Sequence, residues 1–287
     1  MTTATNVRKK PAAWQRLLRN PSGFIGLIII AVFVVVALLA AFGISPYPPA
    51  EQHVRDRLTG PSSSYLLGTD LFGRDLASRL MEGARNSLYV ALLSVLLASV
   101  LGISLGLVAG YLGHWADNLI MRIMDVFFAF PALLLALLVI TVLGAGLNNT
   151  VLAIGIVYTP IFARVARGPV LAVKEMEFVQ AGRSLGANPL RLILKHILPN
   201  ILAPLLVQIS LALSWSLLTE AGLSFLGLGV QPPAASWGVM LSESRGIAER
   251  APWLMFFPGA AIALGVLGFN LLGDGLRDVL DPKARGR

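Results

Sequence analysis

The sequence contains no cysteine and has few charged residues. Of its 287 residues, 13% are charged and 56% are hydrophobic, whereas soluble domains carry about 25% charged residues. The absence of cysteine excludes disulfides and thiolate metal sites. So few charges could not cover the surface of a water-soluble fold. The composition therefore indicates an integral membrane protein.

Nucleotide-binding and catalytic patterns are also missing. No P-loop pattern, G-x-x-x-x-G-K-[ST], occurs in the chain, so we do not expect it to hydrolyse nucleotide by itself. The glycines between Gly102 and Gly113 lie in an apolar run, where small residues allow close helix packing in lipid. His53, His114 and His196 are far apart in the sequence, and no metal site is expected. No Ser-His-Asp or paired-carboxylate arrangement indicates an enzyme.

Six apolar segments are predicted to cross a bilayer, which takes about 20 residues per helix. One charge-free stretch of 38 residues between Asp125 and Arg164 is too long for a single crossing. The turn signals at Gly144–Asn149 divide it into two spans. The predicted spans are 24–43, 87–112, 126–144, 150–167, 200–219 and 254–273. We therefore expect an all-α membrane protein with six transmembrane helices.

The distribution of basic residues predicts the orientation of these spans. With both termini cytoplasmic, 16 of the 23 Lys and Arg residues lie inside and 7 lie outside, as the positive-inside rule requires. The net charge of +8 is thus a topology signal, not an indication of nucleic-acid binding. A cleaved signal peptide is the alternative for the first apolar segment, but this segment is longer than the apolar region of a usual signal peptide. The predicted regions are a basic leader at 1–22, a first transmembrane helix at 23–43, an outside connection at 44–86 and a transmembrane domain at 87–285.

The largest cytoplasmic connection, residues 168–199, is predicted to contain helices. Apolar residues recur at three- and four-residue steps on both sides of Gly186–Pro189. We predict two short amphipathic helices within 177–198, with Gly186 in a left-handed conformation at the break and Asn188 and Pro189 starting the second helix. This connection is therefore expected to be a folded element.

Several ionisable residues stand at predicted span ends. Charged groups at membrane depth are costly, and those at span ends usually anchor a helix at the interface. We interpret these residues as anchors, with a role along a translocation path as the alternative. They are Arg122, Asp125, Arg164, Glu220 and Asp274.

Residues 174–200, KEMEFVQAGRSLGANPLRLILKHILPN, resemble the cytoplasmic EAA loop of permease subunits of binding-protein-dependent ABC importers. Gly186 matches the glycine of the family pattern, and Leu198-Pro199 match its end. Gln180 stands where the family has glutamate, Gly182 replaces the second alanine, and His196 replaces an isoleucine, with Ile197 beside it.

Four further segments resemble the dipeptide, oligopeptide and nickel permease group, so that the resemblance runs from about residue 14 to 285. They are LGTDLFGRDLASRLMEGARNSL (67–88), AGYLGHWADNLIMRIMDVFFAFPALLLA (109–136), EAGLSFLGLGVQPPAASWGVML (220–241) and FNLLGDGLRDVLDP (269–282). The N-terminal region resembles the second permease of that group. The resemblance implies a type I ABC importer permease fold, multi-pass in the bacterial plasma membrane.

The resemblance also implies partners and site residues. The partners are a homologous second permease, two cytoplasmic ATP-binding subunits that hold ATP and Mg, an extracytoplasmic solute-binding protein and the lipid bilayer; nucleic acid is not expected, and this chain needs no cofactor. The residues expected to couple to the ATPase are Gln180, Ala181, Gly182, Gly186, His196, Ile197, Leu198 and Pro199. The residues expected to face the receptor or form a gate are Gly68, Asp70, Gly73, Arg74, Asp75, Pro232, Pro233 and Trp237.

The sequence is compatible with three functions. The leading one is the pore-forming subunit of an ATP-driven importer for peptides. An ATP-independent carrier or channel and a membrane scaffold without transport activity are the alternatives. Glutathione-like solutes and nickel chelates remain open as cargo, because the external receptor selects the solute in such systems.

Overall fold

The computed structural model describes residues 13–280, which are almost entirely helical. The basic residues Arg8, Lys9 and Lys10 of the predicted leader and the C-terminal residues 281–287 lie outside this range. The helices are α1 (Ala13–Arg19), α2 (Pro21–Ala41), α3 (Leu76–Leu112), α4 (His114–Phe128), α5 (Ala132–Leu143), α6 (Leu147–Val173), α7 (Glu177–Ser184), α8 (Pro189–Leu192), α9 (Leu198–Phe225), α10 (Trp237–Ser244) and α11 (Trp253–Leu280). A π-helical turn, Ile193–Ile197, joins α8 to α9.

Helices α3 and α6 form the central pair of the bundle. Helix α3 begins at Leu76, directly after the N-cap residue Asp75, whose side chain accepts a hydrogen bond from the Ser78 amide, and it runs for 37 residues. At about 1.5 Å per residue it extends beyond a bilayer core of about 30 Å. Gly102, Gly106 and Gly110 of this helix face α6: a Cβ on Gly106 would overlap the carbonyl oxygen of Ala163. The predicted packing role of this glycine series is confirmed.

Helices α2 and α11 approach each other in the same way. A Cβ on Gly26 would lie 2.5 Å from the amide nitrogen of Leu272, and a Cβ on Gly275 would overlap Gly23. Apart from Gly23 and Gly26, no residue of α2 is buried. Helix α2 therefore lies at the edge of the bundle, with most of its apolar surface available to lipid.

The third predicted span, 126–144, is not one straight helix. Helices α4 and α5 meet at an angle of 93° across Ala129–Pro131. The break has a local cause, because Pro131 lacks an amide donor and disfavours helical geometry in Phe130. Within residues 13–280, five helices are long and apolar enough to cross a membrane, or six if the bent pair counts as one span.

The connections gather at the two ends of α3. The indole Nε1 of Trp237 donates to the carbonyl oxygen of Leu80 near the start of α3, whereas Lys174 Nζ donates to the carbonyl oxygen of Gly110 near its end. Residues 44–75 and 226–252 therefore lie at one end of the bundle, called here the loop end. Residues 174–200 lie at the other. This separation agrees with the predicted order of inside and outside connections, although helix α3 begins eleven residues before the predicted span at 87.

Candidate functional sites

The segment 174–200, called here the coupling segment, contains two helices separated by a left-handed glycine. Gly186 has φ +76°. Its amide donates to the carbonyl oxygen of Arg183 at 3.0 Å, and the amide of Ala187 donates to that of Gly182 at 3.1 Å. These two bonds form a Schellman motif, which satisfies the last carbonyls of α7. The predicted left-handed break at Gly186 is confirmed.

The second half of the coupling segment runs into α9 without a loop. The side-chain oxygen of Asn188 accepts a hydrogen bond of 3.0 Å from the Leu190 amide, and Pro189 takes the first helical position, as predicted. The π-helical turn follows, in which Ile197 is fully buried and His196 is half-buried. The structure thus places Ile197 in the core although His196 occupies the usual position of the family isoleucine. The Leu198-Pro199 pair begins α9.

Buried contacts fix the coupling segment on the bundle. Val179, Leu192 and Ile197 are at most 2% exposed, and Val179 and Ile197 belong to a core cluster with residues of α3, α6 and α9. Gln180 Nε2 donates to the carbonyl oxygen of Lys174 at 3.1 Å. Together with the bond from Lys174 to Gly110, these contacts pack one face of the segment against the bundle.

The opposite face of the coupling segment is apolar and exposed. Leu185 is 88% exposed, Leu190 is 62% exposed and Leu194 is 51% exposed, and Ala181 is also exposed. Gly182 is half-buried against the Leu192 side chain. An exposed apolar patch at one end of a membrane-protein bundle, outside the spans, is typical of a surface that a partner protein covers.

At the loop end, two arginines and two carboxylates form a cluster, called here the cap cluster. Arg74 Nε binds Asp70 Oδ2 at 2.6 Å, and Glu243 Oε2 accepts from both Arg74 and Arg79 at 2.9 Å. The arginine side chains are at most 6% exposed. The cluster joins the 44–75 loop, the first turns of α3 and helix α10. Paired in this way, its charges hold the loop against the bundle.

Two glycines fix the shape of the 44–75 loop. Gly68 has φ +88° and Gly73 has φ +75°. A Cβ on Gly68 would lie 2.7 Å from the carbonyl oxygen of Thr59, and one on Gly73 would overlap His53. Asp75 follows and caps α3 through Ser78. These three predicted residues shape the loop.

Trp237 lies inside the protein. Its side chain has no exposed surface, and its ring packs against Phe33 with a centroid distance of 5.1 Å. Pro232 and Pro233, by contrast, are exposed. The receptor-facing role of the loop-end residues stays a prediction. The packing indicates that Trp237, Asp70, Arg74 and Asp75 would serve such a role by holding the loops in place.

The sequence did not predict that Glu220 is buried. The predicted interfacial anchor is wrong for this residue, because it is fully buried and its Oε1 accepts a hydrogen bond of 2.7 Å from Ser224. Asp125 and Arg164 form an ion pair with both side chains nearly half exposed, which suits anchoring. The partners Arg79 and Glu243 of the cap cluster were also missed, since 164 residues separate them.

A large apolar groove runs along the bundle between α5, α6, α9 and α11. Its volume is about 760 Å³. The aromatic and aliphatic side chains along it include Leu133, Tyr158, Trp215, Phe225 and Ile262. The part of the chain from 13 to 280 holds no cluster of three metal-ligating side chains.

These features define a multi-pass helical membrane protein with a short helical segment packed against one end of the bundle. Residues 102–286 match the family described as binding-protein-dependent transport system inner membrane component. Residues 12–61 match the N-terminal TM domain of oligopeptide transport permease C.

Individual proteins extend this likeness over most of the chain. The dipeptide transport system permease protein DppC of Alkalihalophilus pseudofirmus is 46% identical over 273 residues, which cover 95% of this chain and 90% of that protein. The glutathione transport system permease protein GsiD of Pectobacterium atrosepticum is 44% identical with the same coverage. In the inward-facing MetNI methionine ABC transporter, a chain superposes with a TM-score of 0.57 at 21% identity, covering 71% of this chain and 97% of that one. This last likeness shows the type I ABC importer permease fold.

The chain belongs to the family of binding-protein-dependent transport system inner membrane components. It is a permease subunit of an ABC importer and a multi-pass protein of the inner membrane.

Proposed function

We propose that this chain forms one half of the translocation pathway of an ATP-driven importer for dipeptides or short oligopeptides. A homologous second permease supplies the other half, and two cytoplasmic subunits bind and hydrolyse ATP with Mg. An extracytoplasmic binding protein delivers the solute. Both termini and the coupling segment lie in the cytoplasm, and the loop end faces outward.

The observation that carries this proposal is the construction of the coupling segment. One face is buried against α3, α6 and α9 through Val179 and Ile197, and the other exposes Leu185 and Leu190. A partner that binds the exposed face and changes conformation must therefore move the spanning helices as well. This is the mechanical connection that ATP-driven transport requires and that an ATP-independent carrier does not.

The apolar groove between α5, α6, α9 and α11 is the surface we assign to the pathway. Its lining is almost free of charge, so the polar backbone of a peptide would cross it between two permeases without a tight binding site. Peptides are the preferred cargo because of the dipeptide permease relative at 46% identity. Glutathione, itself a small peptide, is the second candidate, supported by the relative at 44% identity.

The exposed leucine at position 185 allows a direct test. Leu185→Asp places a charge in the centre of the proposed contact, and we expect normal membrane insertion, loss of co-purifying ATPase subunits and loss of uptake. Leu66→Asp is the matched control, because Leu66 is 66% exposed at the opposite end of the bundle. That variant should retain the ATPase subunits. Full ATPase association and uptake in Leu185→Asp would refute the proposed contact.

A further inference from the structure

A polar cavity lies between the coupling segment and the corner where α3 meets α4. Its volume is about 230 Å³. Val179 and Leu192 form part of its floor, and His114, Lys174 and Arg183 contribute basic groups to its wall. It lies on the side of α7 that faces the bundle, away from the exposed face at Leu185.

No ion pair joins the basic groups of this cavity to a carboxylate within the described residues. Asp117, in the first turn of α4, interacts electrostatically with Lys174, but its carboxylate is paired with Arg167. Lys174 Nζ makes its one hydrogen bond to the carbonyl oxygen of Gly110 at 2.9 Å. Glu175 also lines the cavity, but its Oε2 accepts from Gln180 Nε2 at 3.2 Å, and no ion pair joins it to His114, Lys174 or Arg183. Lys174 and Arg183 outnumber Glu175, the one carboxylate that lines the cavity, so its charged lining residues leave an excess of one positive charge.

The backbone at the cavity wall adds a further preference for an anion. His114 has φ +48°, a left-handed conformation that a non-glycine residue seldom adopts. It starts helix α4, whose first turn receives no side-chain cap. The first amides of a helix need an acceptor, and the wall already holds cations that attract one.

We propose that this cavity binds a phosphate-bearing anion, the headgroup of an anionic phospholipid. The lipid source follows from its surroundings, since Leu112 is 58% exposed and Trp115 is 74% exposed beside His114, and tryptophan is enriched at the membrane interface. A headgroup bound there bridges the α3–α4 corner to α7 and strengthens the attachment of the coupling segment to the bundle. The assignment to the cytoplasmic leaflet rests on the proposed function; the anion site itself does not.

The test uses the intact complex, purified through a tag on this chain with the subunits that accompany it. Native mass spectrometry measures retained lipid after titration with phosphatidylglycerol or phosphatidylcholine, and parallel samples contain inorganic phosphate as a competitor. We expect selective retention of phosphatidylglycerol. Arg183→Gln should weaken it about tenfold, because one charge-assisted contact is lost. Arg122→Gln, an exposed basic residue of α4 outside the cavity, should bind as the wild type does.

Each outcome decides one part of the proposal. Equal retention of both lipids together with no effect of phosphate would overturn the anion site, and so would unchanged binding in Arg183→Gln. Binding of phosphate without retention of phosphatidylglycerol would support the phosphate chemistry and overturn the lipid source. The same spectra report which subunits accompany the chain, so that a missing ATPase subunit counts against the proposed function and leaves the lipid result readable.

Discussion

A single methyl group at Gly106 should separate helices α3 and α6. The Cβ of Gly106→Ala would overlap the carbonyl oxygen of Ala163 and lie 2.8 Å from the Cβ of Ala166. Carbon atoms in contact are normally about 3.5–4.0 Å apart, so the helix axes must move apart by about 1 Å. Both neighbours are backbone or a short side chain, and neither can turn away.

The size of this effect can be worked out against a control. Gly259 lies inside helix α11, and the nearest atom to a Cβ there is 4.0 Å away. Gly259→Ala should gain helix propensity of up to about 1 kcal/mol without a clash. Gly106→Ala gains the same, but overpacking costs about 1–3 kcal/mol, and the widened interface loses dispersion contacts along α3 and α6.

The assay is thermal inactivation of the purified complex in detergent, followed as the fraction that stays monodisperse. Since 1 kcal/mol shifts a midpoint by about 2–4 °C in a protein of this size, Gly106→Ala should melt several degrees below Gly259→Ala. Equal midpoints for the two variants would refute the close packing of α3 on α6.

Three further outcomes follow from the same contacts. Glu243→Ala removes the acceptor shared by both arginines of the cap cluster and should lower the free energy of unfolding by about 3 kcal/mol. This is the low end for a broken buried pair, because Glu243 is partly exposed. A melting midpoint equal to that of the exposed control Glu249→Ala would contradict this. Gly186→Asn should keep uptake, because asparagine tolerates a left-handed conformation, whereas Gly186→Val should insert normally but lose uptake. Equal uptake in the two variants would show that the left-handed backbone at position 186, with φ +76°, is not required. Burial and the hydrogen bond to a neighbouring carboxylate raise the pKa of Tyr65 to about 12 from an ordinary 10. The contribution of Tyr65 to stability is therefore full below pH 10 and is lost as the pH rises through 12. Tyr65→Phe should remove the late-titrating phenolate from an absorbance titration, and an unchanged titration would contradict the assignment.

The sequence predicted the parts of this fold that depend on local chemistry. Apolar run length located the membrane helices, and the Gly186–Pro189 pattern predicted the break between α7 and α8, because one glycine and one proline impose it. The 93° bend between α4 and α5 was missed although Pro131 was visible. A proline in an apolar run can either kink a helix or end it, and the sequence around it does not set the angle.

The candidate sites were predictable to different degrees. The coupling segment could be located because its residues are contiguous. The cap cluster could not, since Asp70 comes from the 44–75 loop and Glu243 from helix α10, and the two meet only when the bundle has formed. Glu220 was misplaced for a related reason: its position at a span end says nothing about the loop that folds over it. Burial of Trp237 likewise depends on α3 and α2 packing around it.

This permease is expected to transport only as part of an ATP-driven complex. The most direct measurement is uptake of a labelled dipeptide into proteoliposomes that contain either this chain alone or the chain with its second permease, ATPase subunits and binding protein. We expect uptake only with the full complex and ATP in the compartment of the coupling segment, and none when Leu185→Asp replaces the wild type. Uptake by this chain alone, without ATP, would contradict the account.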